Sequence, residues 1–377
     1  MSPALPDRRD GDSLKWNHWR GQDVIPLWVA DMDWPAAPAV LAALRARLDH
    51  GIFGYPDRPT DLEQVAVQML ASRHGWRIEA SALCWLPSLV AGIELCCRAF
   101  ATLHRRVLTT TPIYPPFLHA PGHQGAALVR WPLVRQDGRW QHDLAALRGH
   151  LASGIDVVLL CSPHNPTGRV FTRDELAALA DVLADSDAIV VSDEAWADVV
   201  LDGVHVPLAV AAPQLAPRLV TLISPAKAFN LPGLRLGAAV VTDADLRRRL
   251  EAAGHGVAGE QNLFGLVAAR AAWAEGWAWH ADILDRIRAN RDRAVAAVRA
   301  LGLACDLPES TYLLWVDCST LDVADVAEFF VRAGVGVMPG AWFGAPDHVR
   351  LNLACDPALL ATALERMAAA VRGAARR

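Results

Sequence analysis

An α/β fold, with a mostly parallel sheet covered by helices on both faces and a second, smaller α+β part, is what this sequence predicts. Three features predict it. Short apolar runs recur that are hydrophobic at successive positions, amphipathic segments of helical period lie between several of them, and the pattern changes after about residue 260. Strands apolar on both sides suit a sheet buried on both faces. Alternation of β with α sets successive strands parallel.

In chain order the strand candidates are ALCWL (82–86), RVLTTT (106–111), ALVRWPL (127–133), DVVLLC (156–161), AIVVSD (188–193), LVTLI (219–223) and GAAVVT (237–242). Between the fourth and fifth runs TRDELAALADVLADS (172–186) has helical period, and Thr172 and Glu175 open it as a capping box. GHGVAG (254–259) matches a nucleotide-binding glycine pattern. It follows the helical stretch DADLRRRLEAA, where that pattern needs a strand before it, so it reads as a helix end and loop. Beyond it come a long helix, WAWHADILDRIRANRDRAVAAVRAL (277–301), strands TYLLWVDC (311–318) and VGVMPG (335–340), and a final helix over 357–375. The expected division is a large α/β domain over 45–275 and a small domain built from 1–44 and 276–377.

Composition narrows the classes. The 377 residues are 53% hydrophobic and 20% charged, with a net charge of −5 and no dense basic run, which argues against nucleic acid as partner. The N-terminus lacks the apolar core of a signal peptide and no run approaches the ~18 residues of a membrane span, so a cytoplasmic protein is expected. Seven cysteines, an odd number, sit mostly in apolar runs and read as reduced buried thiols. Without C-x-x-C or H-E-x-x-H, no metal is expected.

Of 36 basic residues only two are lysine, Lys15 and Lys227. A guanidinium stays protonated, whereas an amine can lose its proton and act as base or imine former. Rarity alone leaves two readings of Lys227, a stray lysine in an arginine-rich chain or a place where only a deprotonatable amine serves, and its context decides between them. Ligands of open α/β sheets bind beyond the carboxyl ends of the strands. Four strand candidates are followed there by polar or aromatic residues: Tyr114, Asn165, Asp193 with Trp196 three residues on, and Lys227. Taken singly, each has an ordinary structural use as a turn, a cap or a packed ring. Together they match the needs of pyridoxal phosphate: a lysine for the imine bond, a carboxylate for the pyridinium nitrogen, a donor to the ring oxygen and a flat partner. A phosphate cradle is also present in outline. Arg235 lies eight residues after Lys227, and a helix opens at Ser88 and Leu89, where backbone N–H groups suit an anion.

SPHNPTG, SDEAW and SPAKAFNLPGLRLG resemble the motifs of the fold-type I aminotransferase family, in its order and spacing: 28 residues from Asn165 to Asp193 and 34 from Asp193 to Lys227. LKWN, IPLWVADMDWPAAPAV, HGIFGYP and VRLNLACD resemble its MalY/PatB branch, the cystathionine β-lyases and related C–S lyases. The resemblance implies a pyridoxal-phosphate enzyme, homodimeric, with sites at the subunit boundary. Tyr55 would reach the neighbouring subunit's phosphate, and Arg350 would grip the substrate α-carboxylate. Three positions depart from the family pattern. Trp196 stands where Tyr or His is usual, Ala226 where Ser is usual, and Ser88 replaces a glycine, with Ser88 and Ser224 left to supply hydroxyl contacts. The reading is a small-molecule enzyme that removes a thiolate from Cβ of an amino acid, giving pyruvate and ammonia. The alternatives are an aminotransferase made of the same parts and a cofactor-binding regulatory protein with little turnover.

Overall fold

The computed structural model of the protein describes residues 6–9, 11–101 and 103–374. All seven strand candidates form one sheet: β1 Leu83–Leu86, β2 Arg106–Thr111, β3 Ala127–Pro132, β4 Val157–Cys161, β5 Ile189–Asp193, β6 Leu219–Ile223 and β7 Gly237–Val240. Their order across the sheet is β1-β7-β6-β5-β4-β2-β3. Only β7 runs against its neighbours. The alternation of side chains along a strand explains the unbroken apolar runs. Val157, Leu159 and Cys161 pack into one core with helix α1, Leu89–Phe100, while Val158 and Leu160 pack on the other side under helix α2, Arg173–Ala184. Both faces are covered, so every position of β4 is buried.

The capping box of α2 is formed as expected. Glu175 N donates to Thr172 Oγ1 at 3.2 Å, and Thr172 N donates to Glu175 Oε2 at 2.7 Å. GHGVAG follows the helix Ala244–Gly254 as a turn and loop. The long helix α3 covers Trp277–Ala300 and α4 covers Pro357–Ala374.

A second core gathers residues of α3 and α4 around a four-stranded antiparallel sheet. Its strands are β8 Ala304–Cys305, β9 Leu313–Asp317, β10 Met338–Pro339 and β11 His348–Asn352, in the order β8-β9-β11-β10. The VGVMPG run is not one strand. Val335–Gly336 pairs in parallel with Ile25–Pro26, and Met338–Pro339 pairs with β11, so the run serves two sheets. Ile25 and Leu27 belong to the second core, whereas Met32, Trp34, Ala37 and Val40 pack into the first. The N-terminal segment thus crosses from one core to the other. The helix Pro38–His50 runs through the expected division at residue 44 and lies on the large-core side, with Ala43 and Leu44 packed there. At the other end, Gly276 separates the helix Leu263–Glu275 from α3.

The topology carries chemistry to one end of the large sheet. Tyr114, Asn165, Asp193 and Lys227 follow or end parallel strands β2, β4, β5 and β6, and β11 brings Arg350 to them from the second core. Val349 and Leu351 point into that core, so Arg350 and Asn352 face the opposite way, toward the large sheet.

Candidate active site

Asp193 closes β5, is buried, and accepts a hydrogen bond from Ala195 N through Oδ1 at 2.9 Å. Removal from water pushes its carboxyl up to about 6, against the opposing pull of the Ala195 N–H and the Lys227 charge. The next residue, Glu194, has a different fate. It turns away and is saturated by Ser192 Oγ, His205 and Leu208 N.

Lys227 lies in the loop after β6 and donates from Nζ to Ala30 O at 2.9 Å. Burial and then the Arg350 charge lower its amine to about 8, while Asp31 and Asp193 act in the other direction. The free amine is therefore far easier to reach near neutral pH than that of an ordinary lysine, as a base or imine former requires. Trp196 is buried beside it, with its ring centroid 5.3 Å from Nζ.

Arg350 is 1% exposed, yet among the described residues no carboxylate meets it. Nη1 donates to Asn165 Oδ1 at 2.9 Å and Nη2 to Trp28 O at 3.1 Å, and Nε has no partner. Desolvation lowers the group to about 10, so it stays charged at neutral pH. A buried cation held only by neutral acceptors is a receptor for an anion. Tyr114, at the start of the helix Pro115–His123, lies near it: burial raises the phenol, and the charge of Arg350 opposes that rise.

Around the lip of β1 the cradle takes shape. Ser88 caps α1 by accepting from Ala91 N at 3.1 Å, a bond that leaves its hydroxyl proton unused. Leu89 lies over the start of β7, where a Cβ on Gly237 would come within 2.5 Å of Leu89 Cδ2. The β1–β7 ladder ends at the pair Gly237 and Leu86, with Arg235 two residues before the one and Ser88 two residues after the other. Arg235 is exposed there, at φ 48°. Ser224 is engaged otherwise. Its one hydroxyl proton goes to Leu236 O at 2.6 Å, and it accepts from Ala226 N, tying the lysine loop to β7. Tyr55 is 92% exposed and packs against none of the other site residues within the chain.

Sequence reasoning missed a wall of the site. Segment 28–34 offers its backbone carbonyls to side chains from β11, from the loop after β6 and from the approach to β9. Trp28 O meets Arg350, Val29 O and Asp31 O meet Asn352, Ala30 O meets Lys227 and Tyr312, and Met32 O and Trp34 O meet Asn230. Beneath it Lys15 is fully buried and paired with Asp33 at 2.9 Å, which Arg8 also binds at 2.7 Å. The two lysines thus divide: one is locked in an ion cluster and the other faces the site.

The donor set fits pyridoxal phosphate: an amine, a buried carboxylate with Oδ2 to offer a ring nitrogen, and a helix N-terminus beside an exposed arginine. The Asp193 carboxylate also makes a testable demand on stability. In the unfolded chain it ionises near 3.8 and in the fold only near 6, so its contribution to stability falls as pH rises from about 4 to about 6 and stays low above that. Asp193→Asn is expected to make the cofactor-free protein more stable at pH 7.5 by about 2–3 kcal/mol and to change little at pH 4. Urea unfolding at the two pH values checks this; equal gains at both would place the effect elsewhere.

Known proteins share this architecture. A family model described as aminotransferase class I and II matches residues 22–367. Cystathionine beta-lyase PatB of Bacillus subtilis is 31% identical over 97% of this chain and 98% of its own. The crystal structure of OvoB superposes with a TM-score of 0.95 at 40% identity, covering 97% of both chains. The PLP-bound C-S lyase of Staphylococcus hominis does so at 0.92 and 27% identity, over 98% of both. A family model over most of the chain, and relatives matched nearly end to end, establish that the chain belongs to the aminotransferase class I and II family, among proteins of the PatB and MalY type.

Proposed function

We propose that the protein is a pyridoxal-phosphate-dependent C–S lyase that cleaves cystathionine or a related cysteine S-conjugate to a thiol, pyruvate and ammonia. The observation that carries this reading is the convergence of Lys227, Asp193 and an anion-seeking Arg350 at one sheet end, in a chain whose relatives include cystathionine β-lyases. Bound there, the cofactor supplies an electron sink that lets the bond from Cα to hydrogen, and then the bond from Cβ to sulfur, be broken. Lys227 would hold it covalently and, once freed by the substrate amine, would take the α-proton on Nζ. Asp193 would keep the ring nitrogen protonated, Tyr114 would offer the cofactor a flat partner, and Asn165, which fixes Arg350, would supply a donor to the ring oxygen. Arg350 receives the α-carboxylate. Ser88, Leu89 and Arg235 would shape the cofactor's phosphate bed, while Ser224 ties the lysine loop to the strand beside it and Trp196 lies against Lys227.

An aminotransferase needs the same groups, so the test separates the two outcomes. Cystathionine, cystine and other cysteine conjugates are supplied without any keto acid. Steady release of pyruvate over many turnovers is the expected result. One half-turnover that resumes only when a keto acid is added would make the protein an aminotransferase.

The reading includes a homodimer. Ile52, Phe53 and Tyr55 stand 66%, 54% and 92% exposed in a stretch without helix or strand, an apolar surface suited to a second copy. Tyr55 would complete the neighbour's phosphate site. Sedimentation should show a dimer, and Tyr55→Ala should weaken cofactor retention; an active monomer would defeat both statements. Among the described residues no helix is long and apolar enough to cross a membrane. Together with seven free cysteines, this fits the cytoplasmic placement we propose.

A further inference from the structure

Trp196 occupies a position where the family pattern leads one to expect a group that serves the cofactor's ring oxygen. Its surroundings point elsewhere. The indole is 2% exposed, and its ring centroid lies 5.3 Å from Lys227 Nζ, within the range at which an aromatic face attracts a cation. The same amine donates to Ala30 O at 2.9 Å, and that carbonyl also accepts the Tyr312 hydroxyl at 3.1 Å. Tyr312 is itself 1% exposed and meets Trp196 edge-on, with ring centroids 4.8 Å apart and planes at 73°. Indole, phenol and carbonyl thus hold one another and leave a berth shaped for an amine.

We propose that Trp196, Tyr312 and the Ala30 carbonyl form the seat of the Lys227 amine while it is free of the cofactor, and that Trp196 is a positioning residue that strengthens Lys227 as the base. The proposal rests on the reading of Lys227 as the group that takes the α-proton. In that step the bond from Cα to hydrogen breaks, the proton goes to the Nζ lone pair, and the electron pair stays on the substrate side. Nζ becomes an ammonium in a largely dry site. The indole face and the Ala30 carbonyl both interact better with the ammonium than with the neutral amine, so the seat favours the product of the transfer. Tyr312, whose hydroxyl is given to Ala30 O, fixes that carbonyl against rotation. The charged and titratable groups that face the amine are Asp31 from the N-terminal segment, Asp193 from β5, Arg350 from β11 and the Tyr312 phenol. The carboxylates favour the ammonium and Arg350 opposes it. The indole adds attraction without a further charge.

The lysine count makes the test direct. In protein labelled at lysine Cε with carbon-13 there are two lysine signals, and Lys227→Arg identifies which is which. The full chain without cofactor is titrated as wild type, Trp196→Leu and Trp196→Phe. The Lys227 midpoint is expected to fall by about half to one pH unit in Trp196→Leu, the size of an ordinary cation–π contact, and to recover in large part in Trp196→Phe. A tryptophan bearing one, two or three ring fluorines, placed at 196 alone, keeps the shape and drains the ring face of charge. The midpoint should fall with each fluorine. In the holoenzyme the same series should lower kcat and enlarge the isotope effect of substrate deuterated at Cα, with KM held. A midpoint that ignores both leucine and fluorine overturns the proposal. The titration needs no turnover, so its failure leaves the lyase reading standing, and failure of the pyruvate test leaves the midpoints intact.

Discussion

Lys227→Ala is expected to abolish covalent attachment of the cofactor and to cut turnover by about 10³–10⁴-fold, the scale of losing a positioned proton-transfer group. Borohydride reduction followed by mass spectrometry should find the cofactor mass on the Lys227 peptide of the wild type and on no peptide of the variant. The chain makes the result unusually clean. Its other lysine, Lys15, has no exposed surface and is held by Asp33 at 2.9 Å and Asp31 at 3.6 Å. Breaking that cluster would strand buried charges at a cost of several kcal/mol, so Lys15 does not substitute. Arginine offers no rescue, because a guanidinium neither forms the imine nor gives up its proton near neutral pH. Cofactor still fixed by borohydride in Lys227→Ala would refute the assignment.

The central strands of the large sheet were legible because burial on both faces leaves an apolar run at successive positions, as in β4, β6 and β7, whereas the edge strand β3 is largely exposed and showed only through its alternating apolar residues. The capping box was legible because it uses two side chains at a fixed spacing. Tyr114, Asn165, Asp193 and Lys227 could be found because a strand end followed by a polar residue is a local signal. Arg350 was found only through its motif, since nothing local separates it from a surface arginine. In the fold its place follows from strand alternation: Val349 and Leu351 enter the second core, so residue 350 turns to the site.

What stayed hidden is the part built from backbone. The carbonyls of Val29, Ala30 and Met32 carry no side-chain signature, and nothing local marks their partners Asn352, Tyr312 and Asn230. Rarity was the usable clue. Tyr312 is one of only three tyrosines, as Lys15 is one of two lysines. Lys15 was passed over because a sequence does not reveal that Asp31 and Asp33 will close over it. VGVMPG was read as one strand because a hydrophobic run does not show that its two halves pair with different partners.

Arg350→Ala is expected to raise KM by about 30–150-fold, equivalent to roughly 2–3 kcal/mol for a lost charge-assisted pair, while the cofactor stays bound. The geometry explains the size. The guanidinium is buried among neutral acceptors, with Nε unpartnered, so an arriving carboxylate meets a desolvated cation rather than one already spent on a carboxylate. Arg350→Lys should recover only part of the loss, because an ammonium lacks the planar fork that binds two oxygens at once. The substitution also frees Asn165 and Trp28 O from their partner, so a rise in KM alone would not separate carboxylate binding from local disorder. A change in the substrate separates them. Conjugates of cysteamine, which lack the α-carboxylate, should bind the wild type weakly and the variant no more weakly than cysteine conjugates do. Removing Arg350 carries a second signature as well. Its charge lowers the Lys227 amine, so in the cofactor-free variant the Lys227 midpoint should move up from about 8. A variant that still prefers the carboxylated conjugate by the wild-type margin would show that another group holds the carboxylate.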